Sequence, residues 1–260
     1  MRKLLRLAVL IVVAGALVAG GLTAAAMTTA GVWHHGGTAD LAKLAPLGVA
    51  ASEASTVYAA DGKTVLGVFQ GSVNRKPVPL SEIPKVLIKA VLDTEDHRFY
   101  IHGGFDIRSS LRALASDSSK SGGLQGGSTI TQQLVKQLYL NSQQKLSRKI
   151  KEAVIADRLQ RKYTKNQILE AYLNVIYLGN SAYGVEAAAN EYFNEHASQL
   201  TLPQAALLAG IIQDPSGYDP LLNPAAAHTR RADVLDHMVQ YHDITAAQAK
   251  AADATPLPTS

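Results

Sequence analysis

The chain contains no cysteine. A disulfide scaffold, a thiolate zinc site and a cysteine nucleophile are therefore excluded. The redox compartment stays open, because exported proteins can do without disulfides. No internal repeat is visible, so a solenoid or propeller is not expected. Glycine and proline, 20 and 10 in 260 residues, are at ordinary usage and give no sign of a low-complexity chain. No large charge excess exists either: the formal net charge is +4. Between Arg6 and Asp40 the only ionisable side chains are histidines. His97 and His102 resemble a metal pair, but their spacing is poor on a helix and no third ligand accompanies them. A protein-held metal site is not expected.

Apolar residues make up 47% of the chain, enough for a packed core. The length suits one domain of good size with an appendage. Arg2, Lys3 and Arg6 precede the apolar run Leu7 to Trp33. That run can cross a hydrocarbon core of about 30 Å as a helix. The leading basic residues put the N-terminus in the cytoplasm and the rest of the chain outside. Cleavage as a signal peptide is the competing reading, with Leu7 to Val18 as its apolar region and Ala24-Ala25-Ala26 as its processing site. Both readings export the domain, and the uncleaved single-pass anchor is preferred. The expected segments are an anchor over 1–33, a connector and β-hairpin over 34–80, a helical domain over 81–245 and a tail over 246–260.

Thr56 to Phe69 reads as a hairpin turning at Asp61-Gly62, flanked by β-branched and aromatic residues. From Ser81 onward the pattern is helical. Glu82 to Thr94 puts Val86, Leu87, Ala90, Val91 and Thr94 on one face. A short helix is expected at Leu111 to Ala115 and a Ser/Gly-rich loop at Ser116 to Gly127. Thr129-x-x-Gln132, Thr164-x-x-Gln167 and Thr201-x-x-Gln204 read as capping boxes. They open helices to about Leu140, to Gly179 and to Ile212. Leu146 to Lys162 is a further helix, apolar at Leu146, Ile150, Ala153, Val154 and Leu159. Asn223-Pro224 starts a last one, to about Tyr241. The fold class is mainly α, with the hairpin as the clear β-structure.

Charge is distributed unevenly. Lys136 to Lys165 holds nine basic residues and two acids, a local excess of +7. Such a window suits an anionic partner or a solvated helix face. Two carboxylates draw notice beside it. Glu95, next to Asp96, ends an apolar helix just before a turn and the glycine pair Gly103-Gly104. Glu152 shares a helix face with Arg148, and Lys149 is close. Paired carboxylates are the apparatus of glycosidic chemistry. Cations beside them make sense when the leaving group is a phosphate or pyrophosphate.

These residues fall into a series. Glu95-Asp96-x-x-Phe99-x-x-His102-x-Gly104 resembles the first motif of the family 51 glycosyltransferases, the peptidoglycan transglycosylases. Gly127-Ser128-Thr129-Ile130-Thr131-Gln132-Gln133-Leu134-Val135-Lys136 resembles the second. Arg148-Lys149-Ile150-Lys151-Glu152 resembles the third. Ile168-Leu169-Glu170-x-Tyr172-Leu173-Asn174-x-x-Tyr177-x-Gly179 resembles the fourth, and Arg230-Arg231-x-x-Val234-Leu235 the fifth. The likeness runs from Ser55 to Met238, with the motifs in order. Ser142-x-x-Lys145 matches the first element of penicillin-binding transpeptidases, but no Ser-x-Asn or Lys-Thr-Gly follows it.

The resemblance implies a lysozyme-like helical glycosyltransferase at the outer face of a bacterial membrane. It implies polymerisation of lipid II into β-1,4-linked glycan strands, with inversion and release of undecaprenyl pyrophosphate. Glu95 would be the base and Glu152 the second carboxylate. Lys136, Arg148 and Lys149 would neutralise the donor pyrophosphate. Asp96, Phe99, His102, Ser128, Thr129, Gln132 and Gln133 would line the substrate cleft. Glu170, Tyr172, Asn174 and Tyr177 would buttress it. Arg230 and Arg231 would be structural, one of them paired with a buried acid. No tightly bound cofactor is implied, beyond a divalent magnesium or manganese ion assisting the pyrophosphate. The partners implied are lipid II, the growing strand, the membrane and other cell-wall synthases, with no nucleic acid. A glycan hydrolase and an inert glycan- or lipid-binding scaffold are the alternatives. The chain can be a monofunctional enzyme or the N-terminal module of a bifunctional penicillin-binding protein.

Overall fold

The computed structural model describes residues 55–58, 65–69, 74–104, 128–139 and 146–259, with side chains from residue 76 onward except at 139 and 146–151. The anchor over 1–33, the turn at Asp61-Gly62, the helix at Leu111 to Ala115 and the loop to Gly127 lie outside the described residues. Among the described residues no helix is long and apolar enough to cross a membrane.

The β-branched flanks of the hairpin do pair. Strand β1 (Ser55–Tyr58) runs antiparallel to β2 (Val65–Phe69), with Ser55 opposite Phe69 and Val57 opposite Gly67. A second pairing was not expected from the sequence. Strand β3 (Asn74–Arg75) lies parallel to β4 (Ala182–Tyr183). Strands of two residues carry no period to read.

The described residues form eight α-helices: α1 (Lys85–Glu95), α2 (Ile130–Tyr139), α3 (Leu146–Lys162), α4 (Lys165–Val175), α5 (Val185–Phe193), α6 (Leu202–Ile211), α7 (Pro224–Gln240) and α8 (Ala246–Asp253). The capping boxes at Thr129, Thr164 and Thr201 form as read. In each, the threonine amide donates to the glutamine Oε1 three residues on, at 2.8 to 2.9 Å. A fourth box, Thr245 with Gln248, opens α8. Helix α8 packs on α7, so the helical body runs on past residue 245.

Helix α4 stops at Val175, short of Gly179. Ile176 is already extended, and the chain reverses through Gly179, Asn180 and Ser181, all at positive φ. A Cβ at Gly179 would come within 2.6 Å of the Tyr192 hydroxyl, so glycine is required there for space as well as conformation.

The helices pack in two groups. In one, α1 lies against α6 and α7, and α8 against α7. Helix α6 is buried from Ala205 to Ile211 and is apolar all round, as a central helix must be. In the other, α2 lies against α3 and α4. Helix α4 also holds the extended stretch before α1. Asn174 accepts from the Val78 amide (2.9 Å) and donates to its carbonyl (2.8 Å), and Glu170 accepts from the Leu80 amide (2.8 Å).

Beside the C-terminal end of α1, Asp93 meets Asp243 from the turn after α7, and Lys89 pairs with Asp243. Burial first, then the charge and hydrogen bond of Asp243, push the Asp93 carboxyl up to about 7 against the partial relief of Lys89. A carboxyl raised in the fold binds its proton more tightly there than in the unfolded chain. Its stabilising share is complete below the unfolded value of 3.8 and is lost as pH rises to about 7. Asp243→Asn is therefore expected to flatten the fall of Tm between pH 4 and about 7, measured by thermal melts; an unchanged slope would refute the coupling.

Candidate active site

The C-terminal end of α1 and the N-terminal half of α2 meet at the seam between the two helix groups. Glu95, the last residue of α1, is partly buried. Gln133 reaches it from α2, its Nε2 donating to Glu95 Oε2 at 2.6 Å. Tyr172 on α4 donates its hydroxyl to Gln133 Oε1 at 3.0 Å. Burial pushes the Glu95 carboxyl up, and Asp96 adds to that. The Gln133 bond and the Arg230 charge pull the other way without cancelling it. A carboxylate raised by burial and held by an amide donor can serve as a proton acceptor.

Asp96 faces away from this opening. Its Oδ1 meets His102 Nε2 at 2.6 Å, and its Oδ2 accepts from the Ile130 amide at the start of α2 at 3.1 Å. The His102 Nδ1 meets the Gly103 carbonyl oxygen. A carbonyl and a carboxylate can only accept, so these two partners favour a ring that carries a proton on both nitrogens. Burial pushes the His102 ring down, but the Asp96 bond, the Gly103 carbonyl and the Asp96 charge outweigh it, and the net direction is up. Lys165 donates to the His102 carbonyl oxygen at 2.8 Å and sits 4.4 Å from the centroid of the Phe99 ring. Phe99 is fully buried under it.

Gly104 closes this turn. A Cβ there would stand 2.5 Å from the Ala156 carbonyl oxygen and the Asp157 amide nitrogen, backbone atoms of α3 that cannot swing aside. Thr129 Oγ1 donates to the Gly104 carbonyl oxygen at 2.8 Å.

The residues expected in the cleft thus divide by place. Glu95, Gln133 and Ser128 are partly exposed, and Lys136 is exposed one turn beyond Gln133 on α2. Thr129 and Gln132 are buried and spend their side chains on the capping box. Phe99, Asp96 and His102 lie beneath the surface. Those five side chains fasten the wall. Glu152 is 1% exposed on the stripe of α3 that also buries Ala156 and Leu159. That stripe is turned from the apolar face read in the sequence, where Ala153 and Val154 stood in it. The side chains of Arg148 and Lys149 lie outside the described ones. The basic run is no single patch: Lys165 turns inward, and Arg161 pairs with Asp157 at 3.0 Å.

A family model described as Transglycosylase matches residues 61–239. The chain belongs to the transglycosylase family. It is similar to penicillin-binding protein 1A of Neisseria flavescens, with 42% identity over 193 residues, 74% of this chain and 24% of that protein. Penicillin-binding protein 1A of Pseudomonas aeruginosa is 42% identical over 205 residues, 78% of this chain and 25% of its own. A crystal structure of penicillin-binding protein 1A from Haemophilus influenzae covers 80% of this chain and 21% of its own, at 28% identity and a TM-score of 0.48. The chain spans about a quarter of the length of the curated relatives it matches.

Two side chains around Glu95 acquire roles that the sequence did not mark. Tyr172 reaches Glu95 through Gln133 rather than merely supporting a wall. Arg230 lies between α7 and α6, its Nε toward the Gly210 carbonyl oxygen at 3.4 Å, close enough for its charge to act on Glu95. Arg231, one step round the helix, points the other way. It is buried and donates to the Asp253 carbonyl oxygen at 2.7 Å, with the Asp253 carboxylate at 4.0 Å; that acid is partly exposed, not the buried partner expected for one of the pair. Nothing local in the sequence distinguishes these two arginines.

Proposed function

We propose that this chain is a peptidoglycan glycosyltransferase that polymerises lipid II into β-1,4-linked strands, held at the outer face of a bacterial membrane by residues 1–33. The observation that carries the reading is the Glu95 carboxylate, raised by burial yet held by an amide donor at 2.6 Å. Glu95 takes the proton from the 4-hydroxyl of the acceptor sugar. The oxygen attacks the anomeric carbon of the donor from the face opposite the pyrophosphate. The C–O bond to phosphate breaks, the configuration inverts, and undecaprenyl pyrophosphate leaves with the electron pair.

Lys136, Arg148 and Lys149 receive the growing charge on the pyrophosphate. Lys136 is the one whose side chain is described; it stands one turn beyond Gln133 and is exposed. Glu152, on the core-facing stripe of α3, orients these cations rather than meeting the sugar. Among the described residues no three histidine or carboxylate side chains converge as metal ligands. A magnesium or manganese ion would take most of its ligands from the pyrophosphate itself, and no step is assigned to it. The scaffold is lysozyme-like in this reading.

A carboxyl raised by burial would also suit the general acid of a hydrolase. The Gln133 donor favours the ionised form, which is the form a base needs. Product analysis separates the readings. Purified protein in detergent with labelled lipid II gives longer strands if it polymerises. Shortening of existing glycan would instead identify a hydrolase, and no change an inert scaffold. Lys136→Ala is expected to weaken binding of a pyrophosphate-bearing donor by roughly tenfold, the share of one charge-assisted contact. Unchanged affinity in a direct binding titration would remove Lys136 from the donor site.

A further inference from the structure

We propose that Tyr172 is a positioning residue, which fixes the amide of Gln133 with its nitrogen toward Glu95 and so leaves Glu95 Oε1 as the oxygen that takes the acceptor proton. This rests on Glu95 being the base.

A glutamine amide can face either way, and its neighbours decide. A carboxylate only accepts, so with Glu95 ionised the Gln133 nitrogen must face it. The amide oxygen then faces Tyr172, whose hydroxyl must donate. Tyr172 is fully buried on α4. Burial, with Glu95 and Asp96 nearby, disfavours its ionisation, so it keeps its proton. A reversed amide would make the hydroxyl accept from the Gln133 nitrogen, and the buried phenolic proton would lose the Gln133 oxygen it is given to. The reverse amide would turn a carbonyl oxygen toward Glu95. That arrangement is tolerable only with a proton between them, which means a base already loaded. The hydroxyl on α4 therefore biases the site toward the empty base.

One consequence concerns the two carboxylate oxygens. Glu95 Oε2 is held by the amide, and among the described residues no other hydrogen bond reaches the carboxylate. The acceptor proton goes to Oε1 as the new glycosidic bond forms. It passes to water after the pyrophosphate has left with its electron pair, which restores the starting state.

The test compares wild type, Tyr172→Phe, Gln133→Leu and the double variant, with turnover of labelled lipid II followed from pH 5 to 9. Tyr172→Phe keeps the ring and removes one oxygen. Its kcat is expected to fall about tenfold, with its acid limb moved up by about one pH unit and KM within about twofold. Gln133→Leu is expected to move the limb the same way, and the double variant no further than the larger single effect, because both act through one bond. A Tyr172→Phe profile that overlays the wild type, or two effects that add in full, would overturn the proposal. If Tyr172→Phe melts below the assay temperature, Tyr172→Met replaces it, with the same shift required. Failure of the base assignment is read separately, from Glu95→Gln retaining turnover or from a wild-type profile without an acid limb.

Discussion

Glu95→Gln is expected to abolish strand extension, lowering turnover of lipid II by about a thousandfold or more, the range of a lost general base. The substitution keeps the shape of the side chain. It leaves an oxygen to accept from Gln133, so the bond between α1 and α2 can persist. It also removes a charge that burial opposes, so the fold loses nothing and its melting should move little. The lipid-linked donor should bind with near wild-type affinity, because the cations proposed to hold it, Lys136, Arg148 and Lys149, belong to α2 and α3. Strand length on gels and donor binding by titration measure the two halves separately. Loss of turnover together with loss of donor binding would point to a site that has collapsed. Normal turnover would dismiss Glu95 as the base.

Asp96→Ala is expected to be as damaging to the fold as Glu95→Gln is to the chemistry. Both oxygens of Asp96 are engaged, one by the His102 imidazolium and the other by the first amide of α2. Truncation leaves a buried cation and an orphaned helix amide. Breaking such a pair on one side costs about 3–5 kcal/mol, or roughly 10 °C in Tm for a domain of this size. The pH dependence identifies the cause. His102 titrates higher in the fold than in the unfolded chain. Its stabilising share is complete below the unfolded value of about 6.5 and is lost as pH rises through the folded value. The share of the wild-type decline of Tm that His102 supplies as pH rises through its folded value should be missing from Asp96→Ala. An equal slope in both proteins would remove the ion pair from the explanation.

The sequence made three helix starts legible by a threonine three before a glutamine. Thr129, Thr164 and Thr201 each open a helix by the same exchange of side-chain bonds. The fourth, Thr245, carries the same signal but follows a long helix at the end of the domain, where a tail was read. Helix α5 escaped for the opposite reason. It follows Gly184 with no side-chain cap, so its start has no mark.

In the site, position was legible and division of labour was not. Gln132 and Gln133 are adjacent, yet about 100° apart round the helix. One closes its own capping box and the other meets Glu95. The first motif likewise mixes Glu95, which opens on the cleft, with Asp96, Phe99 and His102, which lie beneath it. No local spacing tells them apart. Tyr172 and Arg230 reach Glu95 only after the chain has folded back, one on α4 and one on α7.

Glu95 belongs to one helix group and its amide donor to the other. Their hydrogen bond is thus a gauge of how closely the two halves are seated. A small molecule wedged between α1 and α2 would break that bond and act on the carboxylate from outside the proposed sugar subsites. It would depress kcat and leave KM alone, and no excess of lipid-linked substrate would displace it.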